Sequence, residues 1–280
     1  MTSINDSAFP IQADIRVRQA DLGLEGSVNT IGMARWLEDA RLRARLPRFE
    51  RLVSAGEFGP FRIILVSQGV ERLASVSRTD ADIRVHTGIR RIGRSSFTYE
   101  HAVSVGGNRV GRGEATVLLH GPAKPLSLPE ELVADLAELR IPESSQEVMA
   151  RPDADRHRRD HYARFIPLRA RIGDVDSNRH VNFIAIASWY DEAVAVSALG
   201  GIEVGEGGLT ADLLPWSYRI QYVGEVTYPG DYGIGIRVRS FGADSLRYEL
   251  GIFSGETCLG LADAIGGRGE LSAKSVEDSR

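Results

Sequence analysis

The chain has 280 residues, enough for one large domain or two small ones. Hydrophobic residues make up 42% and charged residues 26%, the balance of a globular protein, and a net charge of −4 supplies no field that would draw in nucleic acid or an anionic membrane. The one cysteine, Cys258, excludes an intrachain disulfide and a zinc site built from several cysteines.

No run approaches the roughly 18 apolar residues of a membrane span. Met1-Thr2-Ser3-Ile4-Asn5-Asp6 lacks the basic and apolar regions of a signal peptide. The expectation is a soluble, cytoplasmic chain.

The first elements in chain order are an extended segment, Asp14–Gln19, a polar turn, and a helical stretch, Asn29–Leu46. Ile31, Ala34, Leu37, Ala40 and Ala44 recur at near three-to-four spacing with no internal proline, and Asn29 stands where an N-cap stands. Asp82-Ile83-Arg84-Val85-His86 and Phe97–Val103 alternate as strands do, with a turn at Gly106-Gly107-Asn108. Gly121–His161 is punctuated by prolines. It predicts a short helix over Glu130–Leu139 and a polar linker over Glu143–Asp160.

The order then repeats: extended Pro167–Ile172, helical Asn182–Leu199, strand-like Gly235–Arg239 and Leu246–Leu250, and a turn at Ser254-Gly255-Glu256. Arg16–Leu46 matches Arg169–Leu199 at ten of 31 positions under a shift of 153, where chance gives about two. Further on, Asp82/Asp231, Ser96/Ser245, Tyr99/Tyr248, Glu100/Glu249, Gly111/Gly260 and Ala115/Ala264 match under a shift of 149. The chain is a duplication. Each copy reads as an α+β unit, a long helix burying its apolar face on an antiparallel meander. The expected division is 9–121 for the first copy, 122–162 for the linker, 163–270 for the second copy and 271–280 for a tail.

The string Asp174-Val175-Asp176-Ser177-Asn178-Arg179-His180-Val181-Asn182, with Trp189 seven residues on, resembles the signature of hotdog-fold thioesterases. It is most similar to the acyl-ACP thioesterases, themselves tandem hotdogs, and to 4-hydroxybenzoyl-CoA thioesterase-like proteins. The resemblance implies a double hotdog fold and hydrolysis of an acyl-CoA or acyl-ACP thioester without metal or cofactor. Three positions depart from the pattern. Phe183 follows Asn182 where the family often has a second Asn, and Arg179 stands where Gly is common. Gln221 and Tyr222 stand where acyl-ACP enzymes carry Glu and Cys, so a cysteine nucleophile has no candidate there.

The chemistry suits these residue types. Asp176 is the candidate general base or nucleophile, Asn178 positions water, and His180 polarises the carbonyl or braces Asp176. The N–H groups of Val181 and Asn182, at the positive end of the helix dipole, are the expected oxyanion donors, and Gln221 joins them as a substrate-binding residue. The first copy has Gly23, Glu25 and Ser27 at the positions of Asp176, Asn178 and His180, which predicts one working site in the second copy. Asp21 and Asp174, present in both, are expected to brace the turns. Trp36 and Trp189 are read as helix packing and Cys258 as a buried apolar residue. His86, His101, His120, His157 and His161 lack metal-ligand spacing.

The basic run Arg156-His157-Arg158-Arg159-Asp160-His161 reads as a solvated linker face or as a contact for coenzyme A or carrier phosphates. Two further functions fit the same residues: a hotdog hydratase or dehydratase, and a non-catalytic acyl-thioester-binding module, which the neutral Gln221 favours. No helix-turn-helix is visible, so nucleic acid is not an expected partner. Fused copies make an internal pseudo-dimer, compatible with further homo-oligomerisation.

Overall fold

The structure, a computed structural model, describes residues 8–141, 152–199, 214–240 and 245–267. The expected tail, residues 142–151 of the expected linker and residues 200–213, 241–244 and 268–270 of the expected second copy lie outside them. The chain forms two compact units, Met1–Asp21 with Gly32–Val148 and Leu22–Ile31 with Met149–Arg280.

The elements up to the end of the first unit are β1 (Ile11–Ile15), α1 (Thr30–Leu42), α2 (Pro47–Ser54), β2 (Arg62–Arg72), β3 (Ile83–Ile92), β4 (Ser96–Val105), β5 (Asn108–His120) and α3 (Glu130–Glu138). Its sheet runs β1-β3-β4-β5-β2, every neighbour antiparallel. The second unit follows with β6 (Arg164–Arg169), α4 (Phe183–Leu199), β7 (Ser217–Tyr222), β8 (Asp231–Ser240), β9 (Ser245–Ser254) and β10 (Thr257–Gly267). Its sheet runs β6-β8-β9-β10-β7, again antiparallel, so the strand order is that of the first. Among the described residues no helix is long and apolar enough to cross a membrane.

Each long helix forms because its apolar residues recur on the buried side. Ile31, Met33, Ala34, Trp36, Leu37 and Ala40 are buried on α1, and Ile184, Ile186, Ala187, Tyr190, Ala193 and Val194 on α4. The close approach of α1 to β5 needs Gly113, where a β-carbon would collide with Leu37 Cδ1.

The helical stretch expected to reach Leu46 ends at Leu42, and α2 starts separately. Leu46 lies at φ −126°, ψ 66°, outside the helical region, because the ring of Pro47 crowds a helical predecessor; Pro47 itself fits the first turn of α2. The cap of α2 comes from far away in sequence. Buried Asp135 of α3 accepts from the N–H groups of Arg48 (2.9 Å) and Phe49 (3.0 Å), and Arg48 Nη1 donates to its other oxygen at 3.0 Å.

The segment before β6 is anchored at two buried residues, Arg156 and Tyr162. Arg156 is buried, its Nη1 on Asp263 (2.9 Å) and Nη2 on the Ala262 carbonyl (2.8 Å). Tyr162 plugs the sheet among Phe253, Cys258 and Leu261, its hydroxyl donating to the Arg156 carbonyl at 2.9 Å. His161 Nε2 meets buried Glu249 at 3.0 Å, Arg159 lies over the Phe165 ring, and Arg158 pairs with Asp160. Arg156 and His161 are thus committed inside their own unit, whereas His157, Arg158 and Asp160 are exposed, so the reading as a solvated face holds for part of the run only.

Asp135→Ala leaves two α2 N–H groups without an acceptor and is expected to cost about 2–4 kcal/mol, read by urea unfolding. Asp135→Asn, which keeps one acceptor oxygen, is expected to lose less.

Candidate functional site

The turn that feeds α4 is built in steps. A 3-10 turn, Ile172–Asp174, follows β6 closely, and the Asp174 carboxylate accepts from the Arg171 N–H at 2.9 Å. The Asp174 carbonyl accepts from the Asn182 N–H at 2.7 Å. Val175 and Val181 then pair across an antiparallel bridge, and residues 176–180 form the loop between them. The Asn182 side chain caps α4, its Oδ1 accepting from the Ile184 N–H at 2.7 Å.

Within the loop the Asp176 N–H donates to the His180 carbonyl (3.0 Å) and the Arg179 N–H to the Asp176 carbonyl (3.0 Å). Arg179 takes the left-handed corner at φ 64°. The half-buried Asp176 carboxylate accepts from the Asn178 N–H at 2.8 Å, an Asx turn, with Asn178 Nδ2 at 3.5 Å from its second oxygen. Asp176 and Asn178 are thus brought together.

His180 faces a residue that the sequence reading did not single out: its Nε2 lies 3.3 Å from Glu225 Oε2. Among the described residues no hydrogen bond joins the side chains of His180 and Asp176; the two residues meet through the backbone. Glu225 reaches this place because the Val181 N–H donates to the Val226 carbonyl at 2.9 Å, drawing the segment after β7 against the loop, with Val226 buried beside it.

Two expected features do not hold. The N–H groups of Val181 and Asn182 are engaged by Val226 and Asp174, so they are not available as oxyanion donors. The Phe183 N–H, first of the helix, has no acceptor among the described residues. Gln221 sits on β7 opposite Leu261. Its neighbours Tyr218, bonded to Asp191 of α4, and Tyr222, packed at 4.6 Å on Phe183, face the helix, so the strand's alternation turns Gln221 to the other side of the sheet.

The first copy has the same backbone without the chemistry. A 3-10 turn at Gln19–Asp21 is closed by buried Asp21, which accepts from the Arg18 N–H and Trp36 Nε1, each at 3.0 Å. Leu22 and Val28 pair as Val175 and Val181 do, and the Gly23 N–H donates to the Ser27 carbonyl at 2.7 Å. Gly26 takes the left-handed corner at φ 73°, where Arg179 stands in the second copy.

The partner of Glu225 follows from matched hydrogen bonds. The N–H groups of Leu73 and Ala74 share the Val110 carbonyl, as those of Val223 and Gly224 share the Leu259 carbonyl. Ser75 therefore corresponds to Glu225, and Ser27 to His180. Extending the repeat alignment past β7 would have exposed the serine-to-glutamate difference.

Asp176→Asn keeps an acceptor for the Asn178 N–H and is expected to unfold within about 0.5 kcal/mol of wild type. Arg179→Val forces a β-branched residue into the left-handed corner and is expected to cost about 1–2 kcal/mol, whereas Arg179→Gly is not expected to carry that strain. Urea midpoints of the three variants check both statements.

No protein-family model matches this chain, and no curated protein sequence matches it. Among solved structures it is similar to an acyl-ACP thioesterase from Bacteroides thetaiotaomicron, at 12% identity and a TM-score of 0.69 over 94% of this chain and 99% of that one. It is also similar to the 12:0-ACP thioesterase from Umbellularia californica, at 14% identity and a TM-score of 0.68 over 91% of this chain and 93% of that one. At such identities the likeness is one of fold, and the chain shares the antiparallel, hotdog-type fold of these structures.

Proposed function

We propose that the chain hydrolyses an acyl thioester, of coenzyme A or acyl carrier protein, at one site in the second of two tandem hotdog copies. The observation that carries this reading is the His180–Glu225 contact beside the Asp176 turn, set against Ser27 and Ser75 in the first copy. A histidine and two carboxylates stand on one turn and the segment held against it in one copy, where the other copy has Ser27, Gly23 and Ser75.

The roles follow from the chemistry. Asp176, held by Asn178, takes a proton from water as the water oxygen attacks the thioester carbonyl carbon. Charge developing on the carbonyl oxygen is met by the Phe183 N–H and the positive end of the α4 dipole. Glu225 accepts from His180 Nε2–H and so orients the ring, whose Nδ1 accepts from the attacking water. The C–S bond then breaks, and the proton held by Asp176 passes to the departing sulfur, giving free acid and thiol. Gln221, on the far side of the sheet from α4, does not count against hydrolysis by being neutral.

The test is thiol release from acyl-CoA and acyl-ACP substrates of graded chain length. Asp176→Asn is expected to lower kcat by about 10²–10⁴-fold. Glu225→Gln is expected to lower kcat by about tenfold with KM little changed, and Glu225→Asp to recover part of the loss. Binding of acyl thioesters without thiol release at any chain length would sink hydrolysis in favour of a binding module. Diene absorbance without free thiol would favour a dehydratase.

A further inference from the structure

Beside α1 the first unit has a groove of about 620 Å³, between the segment that leaves β1 and the partly exposed side of the helix. That volume lies in the range of small-molecule sites. Ile15 and Trp36 give the groove apolar wall. Leu42 also lines it, with 76% of its surface exposed, the most exposed large hydrophobic residue among the described ones.

The acids of the groove are already engaged. Buried Asp21 accepts from the Arg18 N–H and from Trp36 Nε1, and Arg35 Nη1 lies 3.6 Å away. Asp39 pairs with Arg43 at 2.5 Å and Asp14 with Arg84 at 3.2 Å, and Glu38 is engaged as well. Two cations of the groove are left over, Arg16 and Arg18. Both are exposed, two residues apart just after β1, and neither guanidinium pairs with a carboxylate among the described residues. In the second unit Arg169, the match of Arg16, lies 3.7 Å from Asp231. Under the shift of 153 the second copy also has Ser188, Ala195 and Val196 in place of Arg35, Leu42 and Arg43, so this set of side chains occurs in the first copy alone.

Two unanswered cations beside an exposed apolar residue suit an anion carried on an apolar body. A guanidinium holds a carboxylate through two parallel N–H···O bonds. Asp14, Glu38 and Asp39 line the same groove, so a doubly charged phosphate meets more repulsion there than a singly charged carboxylate. We propose that this groove binds an ionised carboxylic acid, its carboxylate on Arg16 and Arg18 and its apolar chain or ring along Ile15 and Leu42. The proposal does not rest on thioester hydrolysis and shares no residue with that site.

The experiment is calorimetric titration of the full chain at neutral pH with octanoate, with acetate, which lacks the chain, and with octan-1-ol, which lacks the charge. Octanoate is expected to bind at least about tenfold more tightly than either. Arg16→Gln combined with Arg18→Gln is expected to weaken octanoate at least about tenfold and leave octan-1-ol unchanged, and Leu42→Ser to weaken octanoate about fivefold. Arg45→Gln, at an exposed arginine outside the groove, is expected to bind as wild type does. All four positions are exposed, and circular dichroism verifies that the variants fold. Octanoate held only as a reaction product at the Asp176 turn would bind the double variant as it binds wild type, and that result overturns the proposal. So do octanoate binding no tighter than octan-1-ol, an equal loss in Arg45→Gln, and octyl phosphate binding more tightly than octanoate.

Discussion

Each long helix starts from a carboxylate. Asp21 and Asp174 close a 3-10 turn by accepting the N–H three residues back, and that closure fixes the direction in which the chain leaves the first strand. From there the geometry is forced: a valine or leucine pairs across a short loop, an asparagine follows, and the helix begins. Asp21 is the more deeply buried and takes on Trp36 as well, tying the turn to the second turn of α1. Asp174 does less through its side chain and more through its carbonyl, which holds the Asn182 N–H. The loop carrying Asp176, Asn178 and His180 is therefore suspended between two fixed points, with the Asp176 carboxylate holding the Asn178 N–H inside it.

That separation explains how two copies on one scaffold differ so sharply in chemistry. The left-handed corner, the cross-loop bridge and the buried valine after β2 or β7 are common to both. Gly23, Ser27 and Ser75 impose nothing on that frame, and Asp176, His180 and Glu225 add charge to it without altering the backbone bonds. The cost of the second arrangement is local: Arg179 occupies a corner that Gly26 takes without strain. In the strands beneath the helices, His101 and Thr87 of the first unit stand in the register that Leu250 and Ile236 occupy in the second.

Much of this was legible in the sequence, for identifiable reasons. The helices, the β4–β5 and β9–β10 hairpins, the Asn182 cap and the Asx-like grouping of Asp176 with Asn178 depend on residues close in sequence, and periodicity or turn chemistry reports them. The break before Pro47 is local, but the cap of α2 by Asp135, the burial of Arg156 and the approach of Glu225 to His180 depend on partners tens of residues away, which no local pattern encodes. The two N–H groups expected to hold an oxyanion failed for the same reason, since one of their acceptors, Val226, arrives on the segment after β7. Gln221 was misplaced by strand parity, because one residue along a strand reverses the face. Comparing the copies proved more informative than reading either alone.

The plug formed by Tyr162 bears on where one ancestral copy ends and the next begins. Under the shift of 153 that aligns the helices, Tyr162 corresponds to Phe9, and Phe9 too is buried, against Ala102 and Ile141. In both copies the inherited module thus opens with an aromatic ring laid over its own sheet before the first strand begins. Just upstream, Arg156 and His161 add contacts with Asp263 and Glu249. A C-terminal half severed at Ala163 would lose its leading ring and both of those contacts, so a cut there removes part of the second unit's own packing.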